Sequence, residues 1–145
     1  MLFRSTVPTP TPTITPPMTA TPTVTPTPAA AVLMNGTIYA PGYQCTATFK
    51  LNEPIETMFD VYAVLIMPDG KTMLNARTLD KPVRPLVRKV KSLPAGFSYQ
   101  LISKTIPPSA PKGEYELAVV FFDATKPYRS RADAFLDVSA KFTIQ

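Results

Sequence analysis

Residues 58–70 read MFDVYAVLIMPDG, the longest apolar run of the chain, and they end in a Pro-Asp-Gly turn. A run this rich in β-branched and aromatic residues, stopped by turn residues, predicts a central β-strand. Both faces of that strand are mostly apolar, whereas the outside of a water-facing sheet is normally polar. Alternation places Val61, Ala63, Leu65 and Met67 on one face and Asp60, Tyr62, Val64 and Ile66 on the other.

Further strands are predicted on both sides of this run. They cover residues 29–39 with a break at Asn35-Gly36, and residues 43–51, 71–75, 97–106, 114–123 and 135–144. The inward residues of the second and fifth of these stretches are Tyr43, Cys45, Ala47, Phe49 and Leu51, and Tyr115, Leu117, Val119 and Phe121. Without helical periodicity, the pattern predicts an all-β fold. We expect an immunoglobulin-like antiparallel β-sandwich of about seven strands over residues 29–145, with Tyr115 at a tyrosine-corner position.

The first 28 residues form a separate Thr/Pro-rich tail. Proline lacks the N–H and keeps the preceding residue out of helix, so an extended polyproline II linker is expected. Such tracts are typical extracellular spacers and O-glycosylation stalks, which predicts an extracellular or cell-surface protein without membrane insertion. The candidate O-glycosylation residues are Thr9, Thr11, Thr13, Thr23, Thr25 and Thr27. Asn35-Gly36-Thr37 fits the N-glycosylation pattern, and a turn is the alternative interpretation.

The composition and motifs of the chain do not indicate a catalytic function. The chain has no histidine, and it contains no nucleophile elbow, phosphate-binding glycine loop or CxxC motif. Its single cysteine, Cys45, lies on an apolar face and is expected to be a buried hydrophobe. Two acidic pairs, Glu53 with Glu56 and Asp123 with Asp133, are too sparse for a hydrolase or a calcium site. We therefore expect a protein that is not an enzyme and has no cofactor and no metal.

The outward side of two neighbouring strands is the main functional candidate. If the central strand in residues 58–70 pairs with residues 114–123, their outward residues form one apolar surface, large enough to need a cover. A second copy, another domain or an apolar segment of a neighbour would supply it. This predicted assembly face consists of Tyr62, Val64, Ile66, Ala118, Val120 and Phe122.

Two further surfaces predict a different function, adhesion to a polysaccharide. Exposed aromatic rings stack on sugars, and Tyr128 with Arg129 and Arg131 is the best candidate for a glycan contact. A basic segment could bind an acidic polymer or be a solvated, lysine-protected sheet edge; it contains Arg77, Lys81, Arg84, Arg88, Lys89 and Lys91. No aromatic residue interleaves this segment, so nucleic acid is not expected as a partner.

In its order of signals the chain resembles an immunoglobulin-like module at the C-terminus of large secreted bacterial proteins. The resemblance rests on the Thr/Pro stalk, the DVYAVLIMPDG strand, the SLPAGFSY segment and the IPPSAPKGEYELAVVFFD stretch. It implies an extracellular, bacterial domain without catalytic residues. Together these features predict a structural module that self-associates or assembles into a surface filament or layer through the apolar face and the tail. The alternative is the adhesion module.

Overall fold

A computed structural model describes residues 28–145. Over these residues the fold is all-β, as predicted, and a 3₁₀ turn at Arg131–Asp133 is the helical element. The predicted polyproline tail and the candidate O-glycosylation residues lie outside the described residues. The strands are β1 Ala30–Met34, β2 Ile38–Tyr39, β3 Gln44–Leu51, β4 Phe59–Ile66, β5 Met73–Asn75, β6 Val87–Val90, β7 Ser98–Thr105, β8 Gly113–Asp123 and β9 Leu136–Ile144.

The strands form two sheets. One has the order β1-β3-β7, and the other has the order β2-β9-β8-β4-β5 with β6 paired to β4. The chain passes from the first sheet to the second at Asn35-Gly36, where the predicted break lies. Because β2 pairs with β9 in parallel, the prediction of a purely antiparallel fold is wrong at this edge, and the nine strands of residues 28–145 exceed the predicted seven.

The core lies between the two sheets. Its inward side chains come from both layers, and the rings of Phe49 and Phe121 meet across it at a centroid distance of 5.4 Å. Cys45 is buried here, and burial raises the pKa of its thiol, as expected for a structural cysteine. Tyr43 is an exception to the predicted inward set. Since β3 begins only at Gln44, Tyr43 lies outside the strand and is 66% exposed.

Asn35 has a structural role in the crossover between the sheets. Its Nδ2 donates to the carbonyl oxygen of Gln44 at 2.8 Å. Its Oδ1 accepts from the Tyr39 hydroxyl at 2.6 Å and from the Thr46 N–H at 3.0 Å. An asparagine amide with this many bonds to its own fold favours the turn interpretation over a glycosylated one.

Candidate functional site

The outer face of the larger sheet carries a groove of about 510 Å³. Strands β4 and β8 pair along its floor, with Tyr62 opposite Val120 and Val64 opposite Ala118. All six residues of the predicted assembly face line it, so the structure brings them together. The loop residues Tyr128–Arg131 line one side, and Met73 and Val83 also contribute. We call this feature the outer groove.

Part of the outer groove is filled by the chain itself. The Tyr128 ring stacks on Phe122 with a centroid distance of 4.2 Å and an angle of 13° between planes. Ala118, Val120 and Phe122 form a small buried cluster, against which Tyr62, Tyr128 and Ala134 pack. The loop 124–135 is therefore an occupant of this face that the sequence pattern did not predict. It covers the end of the face that lies near Phe122.

A buried carboxylate fastens this loop to the sheet. Asp60 is 8% exposed, its Oδ1 accepts the Lys89 N–H at 2.8 Å, and its Oδ2 accepts the Tyr128 hydroxyl at 2.7 Å. The Tyr62 hydroxyl lies 3.0 Å from that of Tyr128 and donates to it, because the Tyr128 proton is used on Asp60. Burial, together with these bonds, raises the pKa of Tyr128. A buried charge needs partners of this kind, so the contact fixes the loop position.

Arg131 forms a second fastening. Its Nε and Nη2 donate to the two carboxylate oxygens of Asp137 at 2.5 and 2.9 Å, and Nη2 also donates to Glu116 at 2.9 Å. The hydrogen bond from Arg131 is the main reason why the pKa of Glu116 is lowered. The carboxylates stand on β9 and β8, so a planar guanidinium bridges two strands bidentately. The loop is thereby held at both ends of its contact with the sheet.

The remaining open part of the outer groove is apolar, with one basic residue at its rim. Tyr62 and Ile66 are half-buried, and Met73 is 45% exposed. Arg129 has an exposed side chain, and the ion pairs found among residues 28–145 do not include it. The open part therefore offers apolar contact along the floor and hydrogen-bond donors at the edge.

The three candidate glycan contacts differ in what the structure leaves available. One face of the Tyr128 ring lies against Phe122 and its hydroxyl is bonded to Asp60. The guanidinium of Arg131 is held by two carboxylates. Arg129 and Arg131 are both exposed, but of these two only Arg129 is outside the ion pairs found among residues 28–145. This arrangement gives less support to sugar stacking at Tyr128 than to a structural role of that residue.

The basic segment lies along the sheet edge formed by β5 and β6, beside β4. Its six basic residues are all exposed. Arg84 pairs with Asp80 at 3.0 Å, and the Arg77 guanidinium lies 6.0 Å from the centre of the Tyr99 ring. Arg77 and Arg84 line a depression of about 410 Å³. The position fits an edge protected by charge, and binding of an acidic polymer stays a prediction.

Asp123 and Asp133, the acidic pair weighed as a calcium site, accept hydrogen bonds from neighbouring residues of their own loop. Asp123 accepts from the Thr125 hydroxyl and N–H, and Asp133 accepts from the N–H groups of Arg129 and Ser130. These bonds lower the pKa of both carboxyls. Glu53 and Glu56 are exposed between β3 and β4. Within the part of the chain that the structure describes, no group of three histidine, cysteine or acidic side chains is placed to hold a metal ion.

Four contributors to the site were not predicted from the sequence. Met73, Val83 and Ser130 line the outer groove, and Asp60 anchors the loop. Asp60 did carry a signal, because a carboxylate inside an apolar strand on a face that becomes buried must have a partner elsewhere in the chain. Met73 and Val83 carried none, since both lie in short, irregular stretches without periodicity.

No protein-family model and no curated protein matches the chain. Two solved structures share a low overall similarity with it. The first is the Pseudomonas fluorescens alkylpurine DNA glycosylase AlkC bound to DNA, at a TM-score of 0.39 and 13% identity over 81% of this chain and 30% of that one. The second is the sporulation control protein Spo0M from Bacillus subtilis, at a TM-score of 0.32 and 15% identity over 81% of this chain and 49% of that one. This chain thus spans less than half of either protein. No helix in residues 28–145 has the length and apolarity to cross a membrane.

Proposed function

We propose that this chain is a non-catalytic, immunoglobulin-like structural module that associates with copies of itself or with neighbouring domains through the open part of the outer groove. The observation that carries the proposal is that this apolar surface persists after the chain's own loop has covered the rest. Tyr62, Ile66 and Met73 remain accessible there, in a groove whose volume lies in the range of binding sites. An extracellular or cell-surface location in a bacterium belongs to the proposal, and the Thr/Pro tail supports it.

The immunoglobulin-like assignment rests on topology and on one hydrogen bond. A sheet of β1, β3 and β7 facing a sheet in which β4 and β8 are central supports the assignment, because immunoglobulin domains pair a similar three-stranded layer with a second sheet. The Tyr115 hydroxyl donates to the Pro111 carbonyl oxygen, four residues upstream, at 2.5 Å. This is the contact of a tyrosine corner at the start of a late strand. Both features support the resemblance to the C-terminal modules of large secreted bacterial proteins.

The test is the mass of the purified protein in solution. Ile66→Glu with Met73→Glu places charges on the open part of the groove and should reduce a self-associated wild type to its 15.8 kDa monomer in light scattering. Val64 and Val120 are unsuitable targets, because the chain itself buries them. The matched control is Leu33→Glu with Ile38→Glu, at side chains that are 52% and 60% exposed elsewhere. A monomeric wild type would refute self-association, and equal oligomeric masses for all three proteins would refute association through the groove.

Adhesion to an acidic polysaccharide is the second candidate function. It is favoured by the basic segment, whose six Lys and Arg side chains from Arg77 to Lys91 are all exposed. It would use the sheet edge rather than the outer groove. Substitutions at that edge should then reduce polysaccharide binding, whereas substitutions in the groove should reduce self-association. Binding to a polysaccharide without any effect of the groove variants would favour this second function.

A further inference from the structure

We infer that the occupant of the outer groove is the Thr/Pro tail of this protein, with residues Ile14–Ala20 in the open part of the groove. This inference rests on the proposed function, since it names the segment through which association would occur. It concerns a segment that lies outside the described residues.

The start of the described chain fixes where the tail leaves the domain. Asn52 donates to the Pro28 carbonyl oxygen at 2.9 Å, and Ala30 pairs with Leu51 at the end of β3. Strand β4 starts a few residues later, and Phe59 at its start pairs with Asp123. The loop 124–135 thus leaves the sheet at the end where the tail joins the domain. From Pro28 back to Ala20, eight residues of polyproline II reach about 25 Å, which suffices to pass around one sheet or to reach an adjacent copy.

The tail has the chemistry that the groove can accept. No charged residue occurs between Arg4 and Lys50, so docking the tail on an apolar floor does not bury a charge. Polyproline II repeats every three residues, so in that conformation Ile14, Pro17 and Ala20 would share one apolar face. That face is about 19 Å long at about 3.1 Å per residue. The open floor from Tyr62 to Ile66 is about 13 Å long at about 3.3 Å per residue, so Ile14 and Pro17, about 9 Å apart in polyproline II, can lie on it together.

The walls of the groove suit the same ligand. Tyr62 and Tyr128 meet edge to face at 6.0 Å, and aromatic-lined grooves bind proline-rich segments because the preformed helix loses little entropy. The backbone carbonyls of polyproline II have no internal hydrogen bonds, so they can accept from Arg129 at the rim. The open edge of β7 is a poorer site for the tail, since proline at alternate positions cannot donate to a strand ladder.

The experiment uses the full chain with the photo-crosslinking residue p-benzoylphenylalanine in place of Ile14. After irradiation, peptide mass spectrometry should map the cross-links to the groove, chiefly to Met73 and to residues 62–66. Ile66→Glu in the same chain should reduce their yield about tenfold, which corresponds to about 1.4 kcal/mol. The same probe at Leu2, far from the apolar face of the tail, is the control and should give little cross-linking to the groove.

Cross-links that are absent from the groove, or whose yield Ile66→Glu does not change, would overturn the inference. The mass of the cross-linked product distinguishes failure of this inference from failure of the proposed self-association. A cross-linked dimer supports both the tail as occupant and self-association. A cross-link to the groove within a monomer supports the tail as occupant and contradicts self-association. Assembly that depends on Ile66 with a tail that cross-links elsewhere contradicts the inference alone.

Discussion

Replacing Tyr128 by phenylalanine removes one hydroxyl and keeps the ring that stacks on Phe122. Two bonds are lost: the weaker one joins the Tyr62 and Tyr128 hydroxyls, and the stronger one joins the Tyr128 hydroxyl to Asp60, a carboxylate that is 8% exposed and has the Lys89 N–H as its other partner. Hydrogen bonds to charged groups contribute about 1.5–3 kcal/mol, and Tyr128 is only half-buried, so we expect a loss of about 1.5–2 kcal/mol. Urea unfolding should show a midpoint lower by about 1 M at an unchanged slope.

Two related variants sharpen this prediction. Tyr62→Phe removes a bond between two neutral hydroxyls and should cost less, about 0.5–1 kcal/mol. Tyr43→Phe is the matched control, since Tyr43 is 66% exposed, and should change stability by less than about 0.5 kcal/mol. Unfolding curves for Tyr128→Phe that overlay those of the wild type would refute the idea that Asp60 fastens the loop. A larger effect of Tyr62→Phe than of Tyr128→Phe would also refute it.

Three other predictions concern the fastening, the backbone and the basic segment. Arg131→Gln should destabilise by about 1 kcal/mol at pH 6. Because the pKa of Glu116 is lowered from 4.5 in the folded protein, its contribution is complete above pH 4.5 and is lost as the pH falls through the lowered value. The difference in urea midpoint between variant and wild type should therefore narrow as the pH falls below 4.5, and a difference that stays constant would contradict this. Gly113→Ala should destabilise more than Gly70→Ala in thermal unfolding. Both glycines have positive φ, but only at Gly113 would a Cβ lie 2.8 Å from Pro68 Cβ; equal losses would speak against that clash. If the basic segment binds acidic polymers, Arg88→Gln with Lys91→Gln should elute from heparin at lower salt than Lys50→Gln with Lys112→Gln, and co-elution would remove the adhesion candidate.

The strands that build the core could be predicted because they have one buried side and obey a period of two. Strand β6 could not be predicted in this way. Its residues Val87–Val90 are mostly exposed at a sheet edge, so no alternation marks them. Tyr43 was misassigned because alternation was extended by one residue beyond the start of β3. The crossover at Asn35-Gly36 was visible because turn residues interrupt an apolar run there.

The candidate site could also be predicted only in part, but the reason differs from that for the strands. The apolar face was evident, because β4 and β8 carry apolar residues on both sides. Its cover was not evident, since the loop 124–135 has no periodicity and reaches Asp60 across 68 residues of sequence. Contacts of this kind depend on the tertiary fold rather than on local pattern. The loop changes the functional question, because it reduces the open apolar surface to the region of Tyr62, Ile66 and Met73.

Oxidative footprinting of Met73 tests the central claim most directly, because this side chain is 45% exposed in the isolated chain and lines the outer groove. The full-length protein would be exposed to hydroxyl radicals at low and high concentration, and the modification of each peptide would be measured by mass spectrometry. If the groove is the association surface, the modification of Met73 should fall several-fold as the protein associates, while that of the exposed Tyr43 should not change. Equal modification of Met73 at every concentration, in a protein whose mass shows association, would contradict the account.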